Sequence, residues 1–189
     1  SGWKTLADLK SGIQSMDGKL KVGISGKGSF THLTSAALFS AMGVSDKVNF
    51  IAYGKGKAPV ELLAGRIDAA IQWPGQFVSY SQAGELNVLA VTGDKRVSVL
   101  PDVATAQEQG VNINITMWRG LAAPAGTPAN VISKLEQAAK SAIETKQFQD
   151  AAGKIGFSTA YLSSADFGSL IAKDDEFYGN LLKDLGLAK

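Results

Sequence analysis

A short apolar run, a glycine-rich turn and an amphipathic helix recur in that order along the first half of the chain. Strands that alternate with helices cannot pair as hairpins. Each crossover helix returns the chain to the same edge, so the strands run parallel and the helices cover the sheet. Residues 5–14 read as a first helix, capped by Thr5, with Leu6, Leu9 and Ile13 on one face. Residues 20–24 then read as a strand, 25–29 as a tight loop, and 30–42 as a helix stopped by Gly43. The pattern repeats with a strand at 48–52, a Gly/Lys loop at 53–57, and a short helix at 59–63 ended by Gly65. A strand at 67–71, a helix at 76–82 and a strand at 86–92 complete it. The fold class this implies is α/β, a mainly parallel sheet flanked by helices.

The pattern changes after Pro101. Residues 105–109 make one or two helical turns, and 112–123 are extended. Thr127 is placed to cap a helix with Pro128 at its first position. Val131, Ile132, Leu135, Ala138, Ala139, Ala142 and Ile143 keep a helical period. A last helix starts at Ser163 or Ser164, with Phe167, Leu170, Ile171, Leu181, Leu182 and Leu185 along one side. The chain thus divides into an α/β lobe, residues 1–117, and a crossover with a helical tail, residues 118–189.

Composition removes several classes of function. The 189 residues carry 19 basic and 17 acidic side chains without a Lys/Arg stripe, so phosphate neutralisation and nucleic-acid binding are not indicated. No apolar run approaches the ~20 residues of a membrane span. The absence of cysteine rules out disulfides, thiolate metal sites and cysteine nucleophiles. One histidine, His32, makes neither a metal signature nor a convincing triad, since Ser25 lies on the loop that starts the histidine's own helix. Lys27 stands where a nucleophile elbow needs its last glycine. No cofactor, metal or catalytic residue is therefore expected. The chain opens on Ser1-Gly2-Trp3 without the pattern of a signal peptide, and is expected to start in mid-fold.

The stretch from Ser25 through Gly26, Lys27, Gly28, Ser29, Phe30 and Thr31 carries the most chemistry. Its glycines let backbone N–H groups face a ligand, and the helix that follows adds free donors and a positive dipole end. That combination suits a carboxylate or phosphate. It is not a Walker loop, because Ser29-Phe30 replaces the Lys-Ser/Thr pair, nor a dinucleotide fingerprint, because Thr31 takes the third glycine position. Tyr53 and Lys55 repeat the Gly/Lys chemistry one strand later, and parallel strands bring such loops to one carboxyl edge. Gln72 and Trp73 follow the next strand, where an aromatic ring can stack on a ligand.

In order and spacing these segments resemble the Bug/TctC family, the extracytoplasmic solute receptors of tripartite tricarboxylate transporters. Residues 26–33, GKGSFTHL, are similar to the family's G-x-G-S-x-T-H-L loop. Residues 62–68, LLAGRID, are similar to L-L-x-G-x-[IV]-D. Residues 83–86 and 89–92 match A-G-x-L and L-A-V-T, and 100–110 resemble L-P-D-V-P-T-x-x-E-x-G. Residues 118–128, WRGLAAPAGTP, resemble W-x-G-L-x-A-P-A-G-T-P. The resemblance implies a two-lobed, type II periplasmic-binding-protein fold. It implies a small organic carboxylate held without chemistry, the membrane components of a transporter as partners, and a periplasmic location. Residues 25–32 are the ligand loop it carries over.

It also implies that the chain begins at the family's second lobe, with the first lobe absent. Apolar tail residues such as Leu135, Ala139, Phe167 and Leu170 would then be uncovered, leading to self-association, an exchanged tail helix or collapse of the tail onto the α/β lobe. Phe30, Lys27, Gln72-Trp73 and the Tyr53 turn depart from the family's residues, and all are expected at the cleft. The rival readings are the effector lobe of a transcriptional regulator, which shares the architecture, and an anion-binding enzyme using the Ser25 loop.

Overall fold

The computed structural model describes residues 2–54 and 57–188. Lys55, one of the expected ligand residues, lies outside them. The first helix, α1 (Leu6–Ser15), begins with a reciprocal cap: Thr5 accepts from the Asp8 N–H, and the Asp8 carboxylate accepts from the Thr5 N–H. Its Leu6, Leu9 and Ile13 are buried. The chain then enters β1 (Leu20–Ile24), α2 (Phe30–Ala41), β2 (Val48–Ala52), α3 (Ala58–Leu63) and β3 (Ala69–Ala70). All pairings are parallel, and the sheet order is β2-β1-β3. The central strand is buried on both faces, as a parallel strand under helices must be. Gly23 in it has no side chain because the Ile67 methyl occupies that space. The core joins β1 to α1, to Leu38 and Phe39 of α2 and to Met42 just after it.

Beyond the sheet the sequence reading needs correction. The strand expected at 67–71 contracts to two residues, pairing only with Val22 and Gly23. The strand expected at 86–92 does not form, and a lone parallel bridge joins Val91 to Thr105. Its backbone is satisfied differently. The Gln109 side-chain amide donates to the Leu89 carbonyl at 2.7 Å and accepts from the Leu6 N–H at 2.8 Å. One glutamine thereby ties this segment to α1, and no ladder is needed. The helix expected at 76–82 splits into a 3₁₀ turn, Pro74–Gln76, and α4 (Val78–Gln82). Residues 105–109 form a hydrogen-bonded turn in which Thr105 and Glu108 cap each other.

In the tail, α5 (Ala129–Glu144) starts one residue later than expected, with Pro128 at the cap. The Thr127 hydroxyl instead donates back to the Pro124 carbonyl at 2.8 Å and closes the preceding turn. A helix that periodicity did not single out, α6 (Lys146–Lys154), begins at Thr145, whose hydroxyl accepts from the Phe148 N–H. Finally α7 (Ser164–Asp184) starts where expected, and Ser163 caps it. None of these three helices contributes a fully buried residue. Val131, Leu135, Phe148, Ile171 and Phe177 are exposed on them. Ala139, Phe167 and Leu170, expected to be uncovered, are half-buried, and Phe167 packs edge-on against Trp118 at 4.9 Å. No described helix is long and apolar enough to cross a membrane.

Candidate functional site

In this strand order the chain leaves β1 for β2 on one side and then crosses over to β3 on the other. The loops after β1 and β3 therefore diverge and leave a crevice at the carboxyl edge, where open parallel sheets bind ligands. Residues 25–29 stand on one side of that crevice and Gln72-Trp73 on the other. Tyr53 follows β2 directly, and its N–H donates to the Ile24 carbonyl at 3.0 Å, so it sits beside the first loop.

The first loop is held by its own hydroxyls. Thr31 Oγ1 accepts from the Ser25 N–H at 2.9 Å and shares a 3.0 Å hydrogen bond with Ser29 Oγ. Ser29 is the N-cap of α2, accepting from the His32 N–H at 3.3 Å. Gly28 takes φ +73°, a conformation open to glycine, and donates its N–H to His32 Nδ1 at 3.1 Å. The Ser29 N–H turns inward to the Gly26 carbonyl. Three of the loop's N–H groups, those of Ser25, Gly28 and Ser29, are thus consumed in shaping it. Those of Gly26, Lys27, Phe30 and Thr31 have no acceptor among the described residues. They lie at the positive end of a twelve-residue helix, where a carboxylate gains ~0.3–1 kcal/mol from the dipole alone.

His32 is a positioning residue. It is 6% exposed and packs edge-on against Phe50 of β2 at 4.8 Å. Burial, with Lys27 nearby, lowers its pKa, so the neutral ring that accepts from Gly28 is the favoured form.

Gln72 carries a signal that sequence alone could not give. Its side-chain nitrogen is buried without a hydrogen-bond partner, as is the side-chain oxygen of Gln76 one turn on. An unpaired buried amide donor costs ~1–3 kcal/mol, which a ligand oxygen or a bridging water would offset. Trp73 packs on Phe157 at 5.1 Å and lies under the Arg119 guanidinium, also at 5.0 Å from its ring.

Phe30 alone among the expected residues lines the cleft between lobe and tail, a cavity of about 450 Å³. Its other walls come from the crossover, with Thr116, Met117, Trp118 and Arg119, and from α7, with Ile171, Asp174, Asp175 and Tyr178. Phe30 meets Tyr178 edge-on at 6.3 Å. The Trp118 indole N–H donates to Asp174 at 2.6 Å and fastens α7 to the crossover. Burial, with Asp174 second, pushes the Tyr178 hydroxyl up to about 12. Sequence reasoning missed the crossover and α7 walls because they lie some ninety or more residues from the Ser25 loop. The only available signal was the W-x-G-L motif, which marks Trp118 without showing what it faces. Among the described residues no cluster of three His, Asp or Glu side chains is placed to hold a metal.

Residues 1–187 match the family described as tripartite tricarboxylate transporter family receptor. A UPF0065 protein of Cupriavidus necator is 29% identical over 187 residues, 98% of this chain and 56% of that protein. A TctC solute-binding protein from Polaromonas, solved without ligand, superposes with a TM-score of 0.82 at 31% identity, covering 97% of this chain and 63% of that one. A structure of an R. palustris protein with adipate superposes with a TM-score of 0.82 at 25% identity, covering 99% and 62%. The parallel sheet, its open carboxyl edge and these relatives define the fold of a solute-binding receptor of the periplasmic-binding-protein kind. Within that class, the chain belongs to the tripartite tricarboxylate transporter receptor family, TctC. It spans about half the length of the curated relatives it matches.

Proposed function

We propose that this chain is the ligand-capturing part of a periplasmic solute receptor that binds a small organic carboxylate and hands it, unreacted, to a tripartite transporter. The observation that carries this reading is the sheet crevice flanked by the Ser25–Thr31 loop, with four N–H donors in the loop and the first turn of α2 that have no acceptor among the described residues. A carboxylate fits because it accepts several such bonds at once, and charge-assisted hydrogen bonds are the strong ones. Gly26, Lys27, Phe30 and Thr31 present N–H donors. Ser25, Gly28, Ser29 and His32 hold the loop's shape. Gln72 offers a donor from the other wall, Tyr53 and Trp73 border the crevice, and the adipate-bound relative supports the ligand class. Residues 1–117 form the binding lobe and 118–189 the crossover and tail. The tail's exposed apolar residues support the self-association expected from the sequence. Isothermal titration with adipate, hexanoate and a matched amine tests the reading. Carboxylates bind and the amine does not; heat with the amine alone refutes it.

A further inference from the structure

The cleft beneath Phe30 presents an electrostatic difficulty for an anion. Asp174 and Asp175 both line it, and Arg119 is the one cation among its lining residues. Asp174 is engaged by the Trp118 indole, which leaves its charge in place. Without Arg119 the wall would repel any carboxylate that reached past the Ser25 loop.

Arg119 is built to act there. Its guanidinium stacks over Trp73, which itself packs on Phe157, so the side chain rests on a fixed aromatic face. One N–H group donates to the Trp118 carbonyl at 3.1 Å. Among the described residues no carboxylate lies within ion-pair distance of it. A guanidinium has five donors in a fork matched to carboxylate geometry. The residue is exposed, and the Trp118 carbonyl takes one of these donors.

We propose that Arg119 is the specificity-determining cation of this cleft, receiving the second anionic group of a ligand whose first carboxylate rests on the Ser25–Thr31 loop. This rests on the loop reading above and adds to it the residue that receives the ligand's far end. Arg119 lies between Trp118, which anchors the crossover, and Gly120, which lies against the Phe167 ring. These neighbours hold the stretch of backbone that carries Arg119.

The test titrates the full chain and its R119Q and R119K variants with adipate, hexanoate and 6-aminohexanoate, followed by calorimetry and by backbone amide NMR signals of Gly26 and Lys27. The wild type prefers adipate to both others. R119Q loses about tenfold or more for adipate and less than about threefold for hexanoate, because the dianion has the additional charge facing Arg119. R119K retains part of the preference, since it keeps the charge and loses the planar stack. An adipate-to-hexanoate ratio unchanged in R119Q overturns the proposal. So does a wild-type preference for 6-aminohexanoate, which would make the two aspartates the ligand-selecting groups. Loop amides that stay still while ligand binds overturn the loop reading, and this proposal with it. Loop amides that move in every variant, with the same ratio throughout, overturn the Arg119 assignment alone.

Discussion

Ser29 has two roles that a pair of substitutions separates. Its hydroxyl caps α2 by accepting from the His32 N–H and pairs with Thr31 Oγ1, which in turn holds Ser25. Ser29→Ala removes both bonds. Loss of an N-cap costs ~1 kcal/mol and the hydroxyl pair contributes ~1 kcal/mol, together about 2 kcal/mol. For a chain of this size that lowers Tm by about 4–8 °C. Ser29→Asp keeps a capping oxygen, and a carboxylate there gains from the dipole, so its stability stays within about 0.5 kcal/mol of the wild type. Its own charge then occupies the donors proposed for the ligand. Carboxylate affinity falls by about tenfold or more through repulsion and competition. Urea denaturation and calorimetric titration on the same preparations give both numbers. Undiminished carboxylate binding by the stable Ser29→Asp protein would refute the claim that the anion sits on this loop. An Ser29→Ala protein as stable as the wild type would refute the cap.

Phe30→Ser removes a ring from the cleft wall and from its edge contact with Tyr178. Benzoate binding weakens relative to hexanoate by ~0.5–1.5 kcal/mol, and an equal loss for both acids would contradict a ring-selective wall. The lowered His32 pKa makes stability pH-dependent: the unfolded chain takes up the proton near pH ~6.5 and the folded chain only below that. Stability is therefore full above about pH 6.5 and declines as pH falls toward the folded pKa. His32→Asn, which keeps an acceptor for Gly28 and does not titrate, flattens that part of a urea-stability profile; an unchanged slope would assign it elsewhere. A methyl added at Gly75 would meet the Ile155 carbonyl oxygen at 2.5 Å. Gly75→Ala costs ~1–3 kcal/mol and exposes Trp73, seen as increased acrylamide quenching of tryptophan fluorescence, whereas unaltered quenching would show that the tail does not rest on this turn.

The elements legible in the sequence are those whose stabilising partners lie nearby in the chain. The Thr5 cap of α1, the bounds of β1 and β2 and the Ser163 start of α7 depend on local hydrogen bonds and on apolar spacing, both written in a dozen residues. The Ser25–Thr31 loop was legible for the same reason, since its hydroxyls and His32 bond to one another within eight residues. Distance along the chain decided the rest. Residues 86–92 have the composition of a strand, yet the Gln109 side chain takes up the Leu89 carbonyl and no ladder forms. Which loop N–H groups remain free depends on φ at Gly28 and on the inward turn of Ser29, and residue types do not encode that choice. The cleft is the clearest case. Phe30, Arg119 and Asp174 have no periodicity or motif that joins them, and only the packing of the crossover and α7 against the lobe brings them to one wall. Local bonding determines the elements and the Ser25–Thr31 loop; the long-range packing that closes the chain on itself determines which side chains share the cleft wall.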